Sequence, residues 1–333
     1  MTRPPTPVCM AKHVLVVRYA ALGDVAMLWA VLDACLADSP SLRFTLMTRK
    51  EISKHLPQRD RLTVIGLDLD TTYQRSGSLM AFYYGWLRSH QPDQVVDMHQ
   101  HLRTASLRWL TRLLRYPLHT LAKDRKGRRQ LLKDKRSQVA PMQSQYAKVL
   151  HQAGLFVQWP PKRQPLPRRS AGQAIGRLIL APFASKASKA WDADHAMALA
   201  SLWADAGGTV TFLGSPNELQ SLPDSSNAAI NTVPPSDESS LWSEASVAMV
   251  CDSANQHLAA IHRLPMVSLW MGTSPLAGFL PFSHGKRMSL SLPEPLPCQP
   301  CSIFGTETCH VGGFPCRQLS ASVVFRALQA VLH

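Results

Sequence analysis

The chain has 333 residues, of which 45% are hydrophobic and 17% charged, and its formal net charge at pH 7 is +14. No apolar run approaches the ~20 residues that a helix needs to cross a bilayer, and the apolar run 14–17 is too short for a signal peptide. These features argue against a membrane-spanning or secreted protein. We expect a cytosolic chain of two domains with reduced cysteines.

The positive charge is concentrated in one segment. Residues 101–136 contain twelve Lys or Arg and two Asp, which is +10 of the total. So local an excess indicates an anionic partner, which could be a nucleic acid, an anionic lipid or a phosphorylated substrate. A solvated surface that only aids solubility is the alternative.

Strands and helices alternate along the chain, which is typical of an α/β protein with parallel sheets. In the first half, the segments 13–19, 42–50, 62–68 and 92–99 are predicted strands. A helix that is apolar nearly all round is predicted over 24–38. Segment 102–115 is predicted to be a basic amphipathic helix, with Arg108, Arg112 and Arg115 on the face opposite its leucines.

A proline-rich segment with no periodic apolar face, 159–173, is the predicted linker. The α/β pattern then restarts, with predicted strands over 177–184, 209–215, 247–253 and 265–272 and helices over 192–208, 237–245 and 255–263. We therefore predict an N-terminal Rossmann-like domain over 1–158 and a C-terminal one over 174–319. A terminal helix is predicted over 320–333.

The turn after the first strand contains one glycine, Gly23, and neither the G-x-G-x-x-G nor the G-x-x-x-x-G-K-[ST] motif that wraps phosphates. This argues against a dehydrogenase and against a P-loop NTPase. Asp24 lies at the predicted start of a helix, where the helix dipole favours a carboxylate. The local pattern is compatible with a catalytic carboxylate and with a simple helix cap.

Turns of the second half carry the groups that a diphosphate requires. Ser185, Ser188 and Lys189 follow a predicted strand and precede a helix, so backbone amides and a lysine charge are both at hand. The segment "CDSANQH" places Asp252 and Ser253 at a helix start with His257 about one turn further on. Each of these residues, taken alone, is equally compatible with a surface, cap or core position.

In the sequences of these turns, the chain resembles the family 9 glycosyltransferases, which include the lipopolysaccharide heptosyltransferases. The matching segments follow in order: "LGDV" at 22–25, "VVDMHQHLRTASL" with Asp97 and Arg103, "SKAW" at 188–191, "FLGSPNE" ending at Glu218, and "CDSANQHLAA". Three departures lie on the donor side. Phe183 and Ala254 stand where the family has glycine, and "MGTSP" replaces a Gly-Pro-Thr-Asp-Pro segment.

The resemblance implies a GT-B fold, in which two Rossmann-like domains face a central cleft. It implies an inverting, metal-independent transfer of a heptose-like sugar from a nucleotide-diphosphate donor such as ADP-heptose, with no cofactor, to a hydroxyl of a lipopolysaccharide or related glycan. Asp24 would be the catalytic base. The donor-binding residues would be Ser185, Ser188, Lys189, Glu218, Asp252, Ser253, His257 and Thr273. The terminal helix would pack across the domains.

The basic segment is then interpreted as the contact to a phosphorylated glycolipid and to the anionic inner leaflet, with the enzyme cytoplasmic and peripheral to the membrane. The acceptor- and anion-binding residues would be Arg18, Arg103, Arg108, Arg112, Lys126 and Arg129. No nucleic acid is expected, since the segment lacks a recognised binding motif and interleaved aromatic residues. The alternative is a non-catalytic nucleotide-sugar-binding or nucleic-acid-associated protein with a degenerate transferase fold.

Four cysteines crowd the loop 298–316: Cys298, Cys301, Cys309 and Cys316. The first pair has the Cys-x₂-Cys spacing of structural zinc sites, but the second pair does not. We expect no metal here and interpret the four as reduced thiols packing a loop, with structural zinc as the weaker alternative.

Overall fold

The computed structural model describes residues 12–122, 124–164, 175–233 and 238–332, and these form two units. The first unit contains 12–21, Leu28–Ala122 and Ser144–Pro161. The second contains Leu22–Met27 and the described residues of 123–143 and of 162–333. The predicted linker falls partly on 165–173, outside the described residues. The predicted domain boundaries stay predictions.

The first unit is built on five parallel strands in the order β3-β2-β1-β4-β5. Their central members are short runs of Val, Leu and Met, which a parallel sheet covered on both faces requires. The strands are β1 (Lys12–Val17), β2 (Leu42–Arg49), β3 (Leu62–Leu67), β4 (Gln94–Asp97) and β5 (Leu118–Thr120).

Six helices precede or follow these strands in the chain. They are α1 (Leu22–Asp38), α2 (Lys50–Ser53), α3 (Ser76–His90), α4 (Ala105–Leu113), α5 (Arg125–Asp134) and α6 (Met142–Gln152). Helices α3 and α4 close the core of the first unit, where Tyr83, Leu87, Leu107 and Leu110 pack against Val95 of the sheet. Helix α5 belongs to the second unit, where its Leu131 packs with Val139, Ala277 and Ile303.

The second unit has six parallel strands in the order β11-β10-β9-β6-β7-β8. They are β6 (Arg177–Ala181), β7 (Thr209–Leu213), β8 (Ile230–Val233), β9 (Val247–Cys251), β10 (Met266–Leu269) and β11 (Arg287–Leu290). Its helices are α7 (Ala193–Asp205), α8 (Pro216–Gln220), α9 (Glu238–Glu244), α10 (Ala254–Ile261) and α11 (Ala321–Leu332).

Both sheets have the strand order of Rossmann-like folds, so the predicted α/β class with two Rossmann-like units is confirmed. The terminal helix α11 packs in the core of the second unit, where Val324 and Leu328 contact the cluster that contains Trp203 and Phe212. Helix α11 contacts α7 and strands β9, β10 and β11 of this unit.

Candidate active site

The strand order reverses at one place in each sheet, between β1 and β4 and between β6 and β9. Loops leaving the carboxyl ends of such neighbouring strands diverge, and ligands of open α/β sheets bind in the crevice between them. In the second unit, these loops carry five of the residues predicted to bind the donor, Ser185, Ser188, Lys189, Asp252 and Ser253, and His257 follows in α10.

An ion pair joins the two loops. Lys189 ends the short 3-10 turn Ala187–Lys189, and its Nζ lies 3.3 Å from Oδ2 of Asp252, which directly follows β9. Thr273 donates its hydroxyl to the same oxygen at 2.7 Å, and Gln256 Nε2 donates to Oδ1 at 3.0 Å. Asp252 and Thr273 are buried. The structure thus brings together Lys189, Asp252 and Thr273 and adds Gln256.

Gln256 was missed by sequence reasoning. Gln256 is the third residue of α10 and Asp252 directly precedes the N-cap Ser253, so the spacing of four residues across a helix start is the signal that could have found it. The effect of this bond is to hold the buried Asp252 carboxylate in one orientation.

His257 is 5% exposed and lies on α10 beside this network. Burial lowers its pKa to about 4; the charge of Asp24 opposes this shift, and the charge of Lys189 adds to it. Its Nδ1 is buried and has no hydrogen-bond partner among the described residues. At neutral pH, His257 is therefore an uncharged imidazole, and its buried Nδ1 has a hydrogen-bonding capacity that no described residue satisfies.

The first turn of α1 lies against this imidazole. A Cβ added to Gly23 would lie 2.5 Å from Cδ2 of His257 and 3.5 Å from Cα of Ala254. Only a residue without a side chain permits this approach. The lone glycine of the first turn therefore makes room for His257, and the next residue, Asp24, lies in the first turn of α1 and acts electrostatically on the same imidazole.

Three other residues predicted to bind the donor have local structural partners, and a fourth, Ser185, is exposed. Ser188 is buried, its hydroxyl accepts from the amide of Thr306 at 2.7 Å, and its amide donates to the Thr306 carbonyl at 3.0 Å. Glu218 forms a capping box with Ser215 at the start of α8, and Ser253 caps α10.

Two departures from the family pattern have a packing explanation. The Phe183 ring lies where it would be 2.7 Å from a Cβ at Gly214, so this phenyl ring fills the space over the turn that follows β7. Ala254 is the first residue of α10 and faces Gly23. Ala254 thus lies, together with His257, where the first turn of α10 meets the first turn of α1.

In the first unit, two arginines that the sequence predicted to bind the acceptor, Arg108 and Arg18, instead interact with groups of the protein itself. Asp97 is fully buried and accepts from Nη1 of Arg108 at 2.7 Å and from the amides of His99 and Gln100. Arg108 thus balances a buried carboxylate, and the assignment of this arginine to an acceptor anion is not retained. Arg18 is also buried, donates to the Met98 carbonyl and lies over the ring of Tyr146, so we do not retain it either.

The remaining nominated cations stay accessible. Arg103 is partly exposed and donates to the Leu69 carbonyl at 3.3 Å, and Arg112 is exposed on α4. Lys126 and Arg129 are exposed on α5. Arg129 lines a surface cavity of about 450 Å³ together with Arg125, Arg128 and Phe304. Arg128 lies over the Phe304 ring at 5.2 Å from its centroid.

The four cysteines of the loop 298–316 line one cavity of about 240 Å³. Burial and the neighbouring Cys298 thiol raise the pKa of Cys301 to about 11. Within the described ranges, no three His, Cys, Asp or Glu side chains are arranged to hold a metal ion. The expectation of packed thiols and its structural-zinc alternative stay predictions, and the same loop fixes Ser188 through Thr306.

Comparison with known proteins decides the family. The model of glycosyltransferase family 9 (heptosyltransferase) matches residues 85–303, more than half of the chain. The chain belongs to glycosyltransferase family 9. It is a glycosyltransferase, as the resemblance implied. No curated protein sequence matches the chain.

Solved structures share the fold at low sequence identity. A family 9 glycosyltransferase from Veillonella parvula DSM 2008 has a TM-score of 0.70 and 15% identity, over 97% of this chain and 98% of that one. The E. coli ADP-heptose lps heptosyltransferase II has a TM-score of 0.65 and 18% identity, over 96% and 98%. E. coli heptosyltransferase WaaC with ADP-2-deoxy-2-fluoro heptose has a TM-score of 0.61 and 18% identity, over 96% and 99%. The predicted GT-B fold is confirmed.

The helices of the described residues include none that is both long and apolar enough to cross a membrane.

Proposed function

We propose that this glycosyltransferase moves a heptose-like sugar from a nucleotide-diphosphate donor, ADP-heptose or a close analogue, to a hydroxyl of a lipopolysaccharide or related glycan. The observation that carries the proposal is the ion pair of Lys189 and Asp252 beyond the carboxyl ends of β6 and β9, with His257 of α10 beside it and Asp24, in the first turn of α1, acting on that imidazole. Two E. coli heptosyltransferases with this fold, one of them bound to an ADP-heptose analogue, support the choice of donor.

The transfer is inverting and proceeds in one displacement. The acceptor oxygen attacks the anomeric carbon while its proton passes to the Asp24 carboxylate. The bond between that carbon and the diphosphate oxygen breaks, and the electron pair leaves with the nucleotide diphosphate. General-base assistance of this kind contributes typically ~10²–10⁴ in rate.

Charge that develops on the leaving diphosphate is met by Lys189. Its ammonium is largely buried and already held by Asp252, so little reorganisation is needed when a phosphate approaches, which is the basis of electrostatic preorganisation. The uncharged His257 offers its unpartnered ring nitrogen to a phosphate or sugar oxygen. These groups support a mechanism that needs no metal ion.

The acceptor side is proposed to include the cationic face of α5. Arg125, Arg128 and Arg129 line one surface cavity with the exposed Phe304 ring, a combination that suits phosphorylated sugars, and Lys126 is exposed on the same helix. We place the enzyme on the cytoplasmic face of the inner membrane, peripheral to it, because such acceptors are embedded in a bilayer.

The test is transfer from ADP-heptose to a deacylated lipopolysaccharide precursor, followed by release of ADP, together with ADP binding by calorimetry. Asp24→Asn is expected to lower kcat by a factor of ~10² or more and to leave ADP affinity unchanged. Asp38→Asn, at the other end of the same helix, is the control and keeps full turnover. Turnover is expected to persist in EDTA.

Retention of most of the turnover by Asp24→Asn would remove Asp24 from the role of base. Loss of turnover in EDTA, restored by a divalent cation, would overturn the metal-independent mechanism. Binding of UDP or GDP in place of ADP would replace the proposed donor.

A further inference from the structure

Large apolar side chains are exposed on one face of α4 and on the turn before it. Leu102 is 84% exposed, Trp109 57% and Leu113 58%. Trp109 and Leu113 are four residues apart and therefore neighbours on the helix surface. The opposite face of α4 is buried, since Leu107 and Leu110 pack in the core of the first unit. The sequence had placed all the leucines of this helix on a single packed face.

Positive charge surrounds this exposed face. Arg112 and Arg115 are exposed, and neither side chain makes a hydrogen bond or ion pair within the part of the chain that the structure describes. No acidic residue occurs between Asp97 and Asp124. Asp97 is already matched by Arg108, so the net charge that the surface of α4 presents is positive.

An anionic bilayer has the chemistry that fits both features. Indole rings prefer the boundary between headgroups and acyl chains, and leucines are stabilised just below it. Arginines extend from the helix to lipid phosphates while their stems lie along the apolar surface. A nucleic acid would match the charge but would not cover the exposed Leu102 and Leu113.

We propose that the surface formed by Leu102, Trp109, Leu113, Arg112 and Arg115 is an interfacial anchor that docks the enzyme on an anionic bilayer by shallow insertion. The inference rests on the proposed function for its purpose, since it would hold the enzyme beside a membrane-embedded acceptor. The inference goes beyond a peripheral membrane location because it names the element that inserts. It also requires apolar contact with the bilayer, in addition to charge, for binding.

The test is flotation with vesicles of phosphatidylcholine, with and without phosphatidylglycerol. The wild type is expected to float with the anionic vesicles. A Trp109→Ser, Leu113→Ser double variant is expected to bind them at least tenfold more weakly. The matched control is Phe156→Ser, which removes a side chain that is 63% exposed in the same unit and is expected to bind like the wild type.

The charge contribution is tested separately. Arg112→Gln with Arg115→Gln is expected to weaken binding to anionic vesicles by about fivefold per arginine, as basic residues near a membrane surface typically contribute. Arg43→Gln, an exposed arginine on β2, is the control. Equal binding of the wild type and the Trp109, Leu113 double variant, or no vesicle binding by the wild type, would overturn the anchor. The anchor would also be overturned if the wild type were a dimer in solution and the Trp109, Leu113 double variant were a monomer.

A transfer assay separates this inference from the proposed function. The Trp109, Leu113 double variant is expected to keep its kcat/KM on the deacylated acceptor and to lose activity only on acceptor embedded in vesicles. Vesicle binding that depends on Trp109 and Leu113 in a protein without heptose transfer would support the anchor and refute the proposed donor and acceptor. Transfer that is equally efficient on embedded acceptor in the double variant would refute the anchor alone.

Discussion

Substitution of Gly23 by alanine tests the packing of the site directly. The added Cβ would lie 2.5 Å from Cδ2 and 3.1 Å from Nε2 of His257. Carbon atoms pack at ~3.5–4.0 Å, so the imidazole or the start of α1 must move by about 1 Å. Overpacking of this kind typically costs ~1–3 kcal/mol. Alanine regains up to ~1 kcal/mol because it is the better helix former.

The control for this substitution is Gly77→Ala. Gly77 is the second residue of α3, as Gly23 is of α1, and a Cβ added there meets no atom within 4 Å. It is therefore expected to gain the helix-propensity term without the clash. The free energies of unfolding of the two variants, measured in urea, should differ by about 1–3 kcal/mol in favour of Gly77→Ala.

Activity should respond more strongly than stability. A displacement of about 1 Å beside the proposed base is expected to lower transfer by up to ~10², whereas Gly77→Ala should keep wild-type turnover. If Gly23→Ala were as stable as Gly77→Ala and fully active, then the close approach of α1 to His257 would not be a feature of the folded protein in solution, and the reasoning would fail.

Two further predictions concern the same network. Thr273→Val removes the hydroxyl that donates to the buried Asp252 carboxylate, so it should lower the free energy of unfolding by ~1.5–3 kcal/mol and weaken ADP binding. Thr273→Ser keeps the hydroxyl and should restore both the stability and the ADP affinity. Equal stability of the two variants would contradict this prediction. Burial lowers the pKa of His257 to about 4 in the folded protein. Below pH ~6.5, the unfolded chain therefore binds more protons at this residue than the folded protein does. The free energy of unfolding should decrease by about 3 kcal/mol as the pH falls to ~4. Burial also lowers the pKa of His262, so the contribution of His257 is the difference in pH-dependent stability between the wild type and His257→Gln. Identical stability profiles for these two proteins would refute the prediction.

The elements of the central sheets were predictable because buried parallel strands are short continuous apolar runs. The predicted strands over 13–19, 42–50, 177–184 and 247–253 correspond to β1, β2, β6 and β9. Helix α3 (Ser76–His90) was not predicted. It has two glycines and no cap residue, and Met80 and Tyr84 on its outer face are exposed, so its apolar pattern is not confined to one stripe.

For the site, ordered motifs nominated the correct chemical groups but not their partners. Lys189 and Asp252 were both expected to bind the donor, yet their ion pair joins residues 63 positions apart and follows from β6 and β9 being adjacent strands. Asp97 and Arg103 were placed by resemblance to a family segment, whereas the ion pair of Asp97 with Arg108 was not predicted and follows from the packing of α4 on the end of β4.

The amino-acid sequence by itself determined the two α/β units, the turns that carry reactive groups and the concentrated positive charge, because these depend on local periodicity and residue type. Only the tertiary structure decided that Gly23 makes room for His257, that Arg18 is buried, that Arg108 pairs with the buried Asp97, and that Trp109 and Leu113 are exposed. These properties depend on which strands are neighbours and on which helix face meets a sheet. Contacts between residues far apart in the chain decide both, and no local pattern encodes them.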